Sequence, residues 1–159
     1  MLLSSLILAL LPITLAKNSR CLHSGSERQI NEAFAKGGKG AVVTLCPGSV
    51  HRLNASIAFT AGRQTLTTEG DPTGRERAML IVEGENLATA IEYVPLHQYV
   101  SGSLTSRADC DTCSHATIQS LIIDGNRPQL LRIPKGGALI ETGNGEGQTV
   151  RNCRLYEPR

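Results

Sequence analysis

Hydrophobic positions follow a helical period in one place and a strand period nearly everywhere after it. Ile30, Ala33 and Phe34 recur at i, i+3 and i+4, so they share one face of a short amphipathic helix. Ser26-Glu27-Arg28-Gln29 has the S-x-x-Q form of a capping box, and Ser24 with Glu27 repeats the arrangement two residues earlier. Gly37-Gly38 predicts the end of the helix. Ala41 to Leu45 then reads as a strand halted by Pro47-Gly48. Beyond it, brief strands are predicted over Leu53 to Thr60, Gln64 to Thr68, Ala78 to Val82, Thr89 to Val94, Thr117 to Ile123, Ala138 to Glu141 and Thr149 to Tyr156. Gly70-Asp71-Pro72, Gly84, Asp124-Gly125-Asn126, Gly136-Gly137 and Gly143-Asn144-Gly145 punctuate them with turn chemistry. Leu96 to Ser114 is polar and reads as a loop.

Two of these strand segments echo each other. Thr117-Ile118-Gln119-Ser120-Leu121-Ile122-Ile123 and Thr149-Val150-Arg151-Asn152-Cys153-Arg154-Leu155 share a pattern of Thr, β-branched, polar, Ser or Asn, buried-type, variable, aliphatic. They lie 32 residues apart, a spacing within the range of solenoid repeats. In a stacked coil the second and fifth residues point inward from strands on either side of a bend. Ser or Asn at the bend hydrogen-bonds its own backbone and tolerates unusual torsions. The competing architecture is a β-sandwich containing two unrelated strands.

Met1 to Ala16 carries no charge and is apolar apart from Ser4, Ser5, Pro12 and Thr14, ending in a small residue suited to signal-peptide cleavage. It is shorter than the roughly 20 apolar residues of a membrane span, and Lys17-Asn18-Ser19-Arg20 ends the run. We expect a signal peptide at 1–16 and one secreted domain at 17–159, with no membrane contact after cleavage. Export would place Cys21, Cys46, Cys110, Cys113 and Cys153 in an oxidising compartment. Cys21 with Cys46 is the first expected pair. Cys110-Asp-Thr-Cys113 would close a short ring or tie to Cys153, and an odd count leaves at least one cysteine free, paired between chains or partnered in a segment outside this sequence. One C-x-x-C near His115 does not make a zinc site, so no metal is assigned. Asn54-Ala55-Ser56 is a glycosylation sequon. The 159 residues are 40% hydrophobic, 19% charged and 3% aromatic with no Trp, which fits one globular domain and excludes collagen, coiled coil and polytopic membrane protein. A net charge of +2, with no basic cluster beyond Arg75-Glu76-Arg77, gives no ground for a nucleic-acid partner.

From Ser26 to Val50 the residues SERQINEAFAKGGKGAVVTLCPGSV resemble the entry segment of secreted right-handed parallel β-helix proteins of the pectate-lyase-like superfamily. In those proteins an amphipathic helix caps the first coil and a G-G-x-V-x-L-x-P-G strand opens the stack. Gly38, Gly40, Val42 or Val43, Leu45, Pro47 and Gly48 fill that pattern with shifted spacing. Ile122 to Pro128, Gly136 to Glu141 and Tyr156 to Arg159 are similar to fungal secreted members. The resemblance implies an all-β solenoid with an N-terminal cap over 21–50 and coils over 51–159. A strand close to Arg159 leaves an edge open, which reads as the N-terminal part of a longer stack or as a surface for self-association.

The resemblance further implies contact with extracellular, pectin-like polysaccharide, as a lyase or a glycoside hydrolase. A hydrolase needs two carboxylates, and a lyase needs a base with carboxylates that hold Ca²⁺ against an acidic sugar. Asp124 and Glu157 are the candidate carboxylates and Arg127 the candidate cation, with Glu141, Arg151 and Arg159 as further binding residues. Ca²⁺ is the one cofactor this chemistry could use. The four His residues have no nucleophile motif beside them, and no phosphate-loop, dinucleotide or H-E-x-x-H signature is present. The alternative is a non-catalytic surface or host-interaction protein that uses the β-helix as a binding wall.

Overall fold

The structure, a computed structural model, describes residues 21–87, 89–93, 114–131, 138–141 and 145–158. Helix α1 (Glu27–Gly37) begins where expected, and the Ser26 N–H donates to Gln29 Oε1 at 3.4 Å, the returning half of the capping box. Gly38 ends it with φ +64°, a torsion that only glycine adopts without strain. A second, four-residue helix, α2 (Arg127–Leu130), was not foreseen; it follows the left-handed Asn126 and carries Pro128 in its first turn. Among the described residues, no helix is long and apolar enough to cross a membrane.

The other main elements are strands, and among the described residues every strand pairing is parallel. The strands are β1 (Gly25–Ser26), β2 (Val42–Leu45), β3 (Val50–Leu53), β4 (Ile57–Phe59), β5 (Thr65–Thr68), β6 (Ala78–Val82), β7 (Ile91–Tyr93), β8 (Thr117–Gln119), β9 (Leu121–Asp124), β10 (Ile140–Glu141), β11 (Thr149–Arg151) and β12 (Arg154–Tyr156). They form three separate sheets, β2-β5-β8-β11, β1-β3-β6-β9-β12 and β4-β7-β10, here called first, second and third. From β2 onward the chain supplies one strand to each sheet in rotation. The molecule is therefore all-β in character, with parallel sheets and little helix.

The echo seen in the sequence is a register. Thr117, Ile118 and Gln119 pair with Thr149, Val150 and Arg151, and Ile122 and Ile123 pair with Arg154 and Leu155. The second and fifth positions of the first copy, Ile118 and Leu121, are fully buried, whereas Val150 in the second copy is 44% exposed because, among the described residues, β11 has only β8 beside it. Ser120 and Asn152, at the bend of each copy, both sit in the left-handed region with φ +55° and +52°. The side-chain amide of Asn152 donates to Ser120 Oγ at 2.8 Å, so the two bends are bonded to each other.

Strand pleating sends alternate residues inward. Val43, Leu66 and Ile118 form one buried column of the first sheet, and Leu80 with Ile123 and Leu53 with Val82 do the same in the second. These residues share one core with Ile57, Phe59 and Ile91 of the third sheet. Helix α1 closes the core at the β2–β4 end, placing Ile30 and Phe34 inside, with the Phe34 and Phe59 rings 4.8 Å apart and tilted by 39°. Its Asn31 Nδ2 donates to Ser56 O at 3.0 Å, and Asn31 Oδ1 accepts from the Ala58 N–H at 2.9 Å. The helix thus covers the β4 edge of the third sheet, which would otherwise offer unpaired backbone groups.

The expected strand over Leu53 to Thr60 is two strands. β3 ends at Leu53 and β4 begins at Ile57, with a corner between them. Val50 to Arg52 escaped the sequence reading because His51 occupies an inward position that the pattern reserves for an apolar residue. The Cys21–Cys46 disulfide forms as expected and ties the start of the described chain to the end of β2. Cys153 pairs with no described cysteine, and the predicted loop with Cys110 and Cys113 lies outside the described residues. So do the predicted signal peptide at 1–16 and Arg159.

Candidate functional site

The outward residues of the first sheet make a polar column. Thr44, Thr67, Gln119 and Arg151 follow one another in register on β2, β5, β8 and β11. Thr65, Thr117 and Thr149 form a second, parallel column beside them. Neighbouring strands lie about 4.8 Å apart, so the columns space hydroxyl, amide and guanidinium groups regularly; Thr67 is buried, and its hydroxyl donates to Thr68 O at 3.2 Å. Arg151 Nε donates to Gln119 Oε1 at 2.8 Å, which holds the guanidinium over the sheet while its side chain stays 59% exposed.

One wall of this face is the segment after β5. Glu69, Gly70 and Asp71 join Thr44, Thr67, Thr68 and Gln119 around an open hollow of about 430 Å³. The segment from Glu69 to Glu76 is a strap across the bends that join the first and second sheets. Gly70 and Asp71 both have positive φ, which turns the strap upward. Asp71 accepts a hydrogen bond from Ser120 Oγ, and Pro72 O accepts one from Asn152 Nδ2 at 3.0 Å. The other Asp71 oxygen stands 4.0 Å from Arg151 Nη2, across the mouth of the hollow. The site therefore offers a cation, two exposed carboxylates and a row of neutral hydrogen-bonding groups, with no aromatic ring among its lining residues.

Of the three residues proposed for catalysis, Arg127 and Glu157 meet elsewhere, in the segments after β9 and β12, and Asp124 lies at the end of β9. Asp124 closes β9, and its Oδ1 accepts from the Asn126 N–H at 2.8 Å, an Asx turn. Arg127 Nη2 lies 3.1 Å from Glu157 Oε2, with both side chains about half exposed. Gly125 makes this meeting geometrically feasible: a Cβ there would lie 2.2 Å from Glu157 O. Each of the three residues thus already has a role in the corner, one carboxylate in a turn and the other in an ion pair. Glu141 stands on the third sheet in register with Glu92, away from both places. Asn54 is exposed at the corner after β3, open to modification, while the Ser56 hydroxyl of the sequon donates to Thr89 O at 2.8 Å.

One buried pair and one part-buried thiol invite chemistry. Ser49 Oγ and His51 Nε2 are 3.1 Å apart, but Ser49 is 6% exposed and His51 fully buried. Burial lowers the pKa of His51, so it is neutral at ordinary pH. Partial burial raises the pKa of the Cys153 thiol, which favours its protonated form. No group of three His, Cys, Asp or Glu side chains among the described residues is arranged to hold a metal ion.

None of the described site residues named from sequence lines this hollow; Arg151 stands beside it, bonded to Gln119 and 4.0 Å from Asp71. Thr44, Thr67 and Gln119 were missed, yet a signal existed. Thr65-Leu66-Thr67 is a further Thr-aliphatic-polar triplet beside Thr117-Ile118-Gln119 and Thr149-Val150-Arg151, and its third position is the outward one. No protein-family model matches the chain, nor does any curated protein or solved structure.

Proposed function

We propose that the three sheets are the faces of one right-handed parallel β-helix of the pectate-lyase-like kind, exported behind a leader at 1–16, and that its first sheet binds an extracellular polysaccharide. The rotation of strands among the sheets and their all-parallel pairing support the helix. The strong right-handed preference of parallel crossovers supports its hand. The Cys21–Cys46 disulfide suits an oxidising compartment.

The observation that carries the binding role is the in-register column Thr44–Thr67–Gln119–Arg151 beside the Glu69–Asp71 wall. A polymer of one repeating sugar presents hydroxyls at regular intervals, and such a column answers them with donors and acceptors at regular intervals. Arg151 keeps an exposed fork for a hydroxyl pair or a carboxylate. Binding without turnover is favoured over catalysis because Asp124, Arg127 and Glu157 are all engaged with one another's surroundings and lie away from the hollow.

Affinity electrophoresis of the protein through pectin, rhamnogalacturonan and a neutral glucan, with and without Ca²⁺, tests the reading. Retardation by at least one polymer is expected, weakened about tenfold or more in the double variant Gln119→Ala/Arg151→Ala, the scale of losing one or two charge-assisted hydrogen bonds. Free migration in every gel, or equal retardation of the variant, overturns it. New reducing ends or unsaturated products that disappear in Asp124→Asn would instead assign the activity to the corner of the second sheet.

A further inference from the structure

The three sheets finish differently at their two ends. At the end nearest α1 every edge is covered. β1 pairs with β3, the Leu22 backbone bonds to Thr44 and Cys46 at the edge of β2, at 2.7 and 2.9 Å, and α1 lies against β4. At the other end β10, β11 and β12 each have one neighbour among the described residues. Two inward columns also run out there. Val150 follows the buried Ile118 and Leu155 follows the buried Ile123, yet they are 44% and 52% exposed. An open strand edge beside exposed apolar side chains is a template for another strand.

β12 is self-complementary as such a template. The Gly125 N–H donates to Tyr156 O at 2.9 Å, so Tyr156 turns its backbone carbonyl toward β9. Alternate residues of a strand bond to opposite sides, which leaves the N–H and C=O of Leu155 on the open edge. Two copies related by a two-fold axis beside Leu155 exchange both of these bonds as an antiparallel pair. The same register brings the two Leu155 side chains together over the ends of the two cores. It also sets Arg154 opposite Tyr156 of the partner subunit. Both residues are exposed, and a guanidinium over a phenol ring is an attractive pair. Within β12 no like charges fall directly opposite one another.

We propose that the β10–β11–β12 end is the interface of a homodimer, made by antiparallel pairing of β12 with β12 of a second copy about Leu155. Because the opposite end is covered, association stops at two copies rather than growing into a fibre. The dimer does not depend on the polysaccharide reading, since no residue of the hollow lies on β12.

Sedimentation equilibrium of the purified protein over a concentration series reads its state. The average mass is expected to climb from that of a monomer to twice that and no further. Leu155→Asp, which sets two carboxylates face to face, is expected to weaken association about tenfold or more. Arg154→Ala, at an exposed position that folding does not need, is expected to weaken it about threefold and decides the matter if the first variant is misfolded. Leu155→Cys is expected to cross-link under mild oxidation, the bridge mapping by mass spectrometry to the two introduced thiols, because opposed residues of such a pair lie about 5.5 Å apart, within disulfide reach. The Leu155 amide is expected to exchange rapidly in dilute monomer and slowly in the dimer. A monomer at every concentration, growth beyond two copies, undiminished association in both weakened variants, or bridges at other cysteines alone overturns the proposal. A monomer whose Leu155 amide is already protected does so as well, because the chain then covers this edge itself.

Discussion

His51 and Gln64 show how a single side chain fits a polar group into an apolar interior, with opposite results. Gln64 is fully buried and saturated: its Oε1 accepts from the Thr60 and Ala61 N–H groups at 2.9 and 3.2 Å, and its Nε2 donates to Phe34 O and Gly38 O at 3.2 and 3.0 Å. It fastens the end of α1 to the turn before β5. His51 is equally buried but shares one bond with Ser49 and leaves Nδ1 unpartnered. Burial holds its pKa below the ordinary 6.5 of a free imidazole. The unfolded chain therefore takes up the proton first. Its contribution to stability is whole above about pH 6.5 and is lost as the pH falls below that value. A series of thermal midpoints from pH 7.5 to 4.5 should show this loss, and Ser49→Ala/His51→Leu should flatten it while keeping or raising stability at pH 7. An acid slope unchanged in the double variant would refute the assignment. None of this was legible in sequence, where His51 is one of four scattered histidines.

Elements fixed by neighbours in sequence were the readable ones. Helix α1 was legible because its cap, apolar face and terminating glycine all lie within a dozen residues. What the helix does was not legible, since Asn31 reaches a strand 25 and 27 residues away to cover an open edge. The disulfide joins the same region: Cys21 and Cys46 bracket the helix and β2, and the Leu22 backbone pairs with the end of β2 through bonds of 2.7 and 2.9 Å. Closing a loop of 25 residues restricts the unfolded chain by about 3 kcal/mol. Cys21→Ser/Cys46→Ser should therefore lower the urea midpoint by roughly that free energy, read by two-state unfolding curves. A shift well under 1 kcal/mol would mean that α1 and its core residues hold this end without the bridge. The 32-residue echo was legible at this scale too, because each copy repeats Thr at its start and Ser or Asn at its bend. Its extension to Thr65-Leu66-Thr67 was masked by the strap, which lengthens the distance to the next strand of the second sheet.

Across the whole molecule, parallel pairing makes stability a sum of neighbour contacts, so order should fall toward strands with one neighbour. Leu121 and Ile123 of β9 are fully buried between β6 and β12, whereas Leu155 of β12 is 52% and Tyr156 43% exposed. Amide exchange should be slowest in β5, β6, β8 and β9 and fastest in β11 and β12. Gly125→Ala, whose added methyl would collide with Glu157 O, should speed exchange in β12 while leaving α1 and β4 unchanged. Uniform protection from α1 to β12 would refute this gradient. By itself the sequence determined the helix and its cap, the strand-rich remainder, the turns that fall on described residues, the Cys21–Cys46 pair and the repeat, because each is written in residues close together or in a spacing that recurs. Only tertiary structure decided which polar residues face one another. Stacking in register put Thr44, Thr67, Gln119 and Arg151 in one column, and the strap brought Asp71 and Pro72 to bends 49 and 80 residues later. Those meetings depend on strand register and loop path, which short-range pattern does not encode.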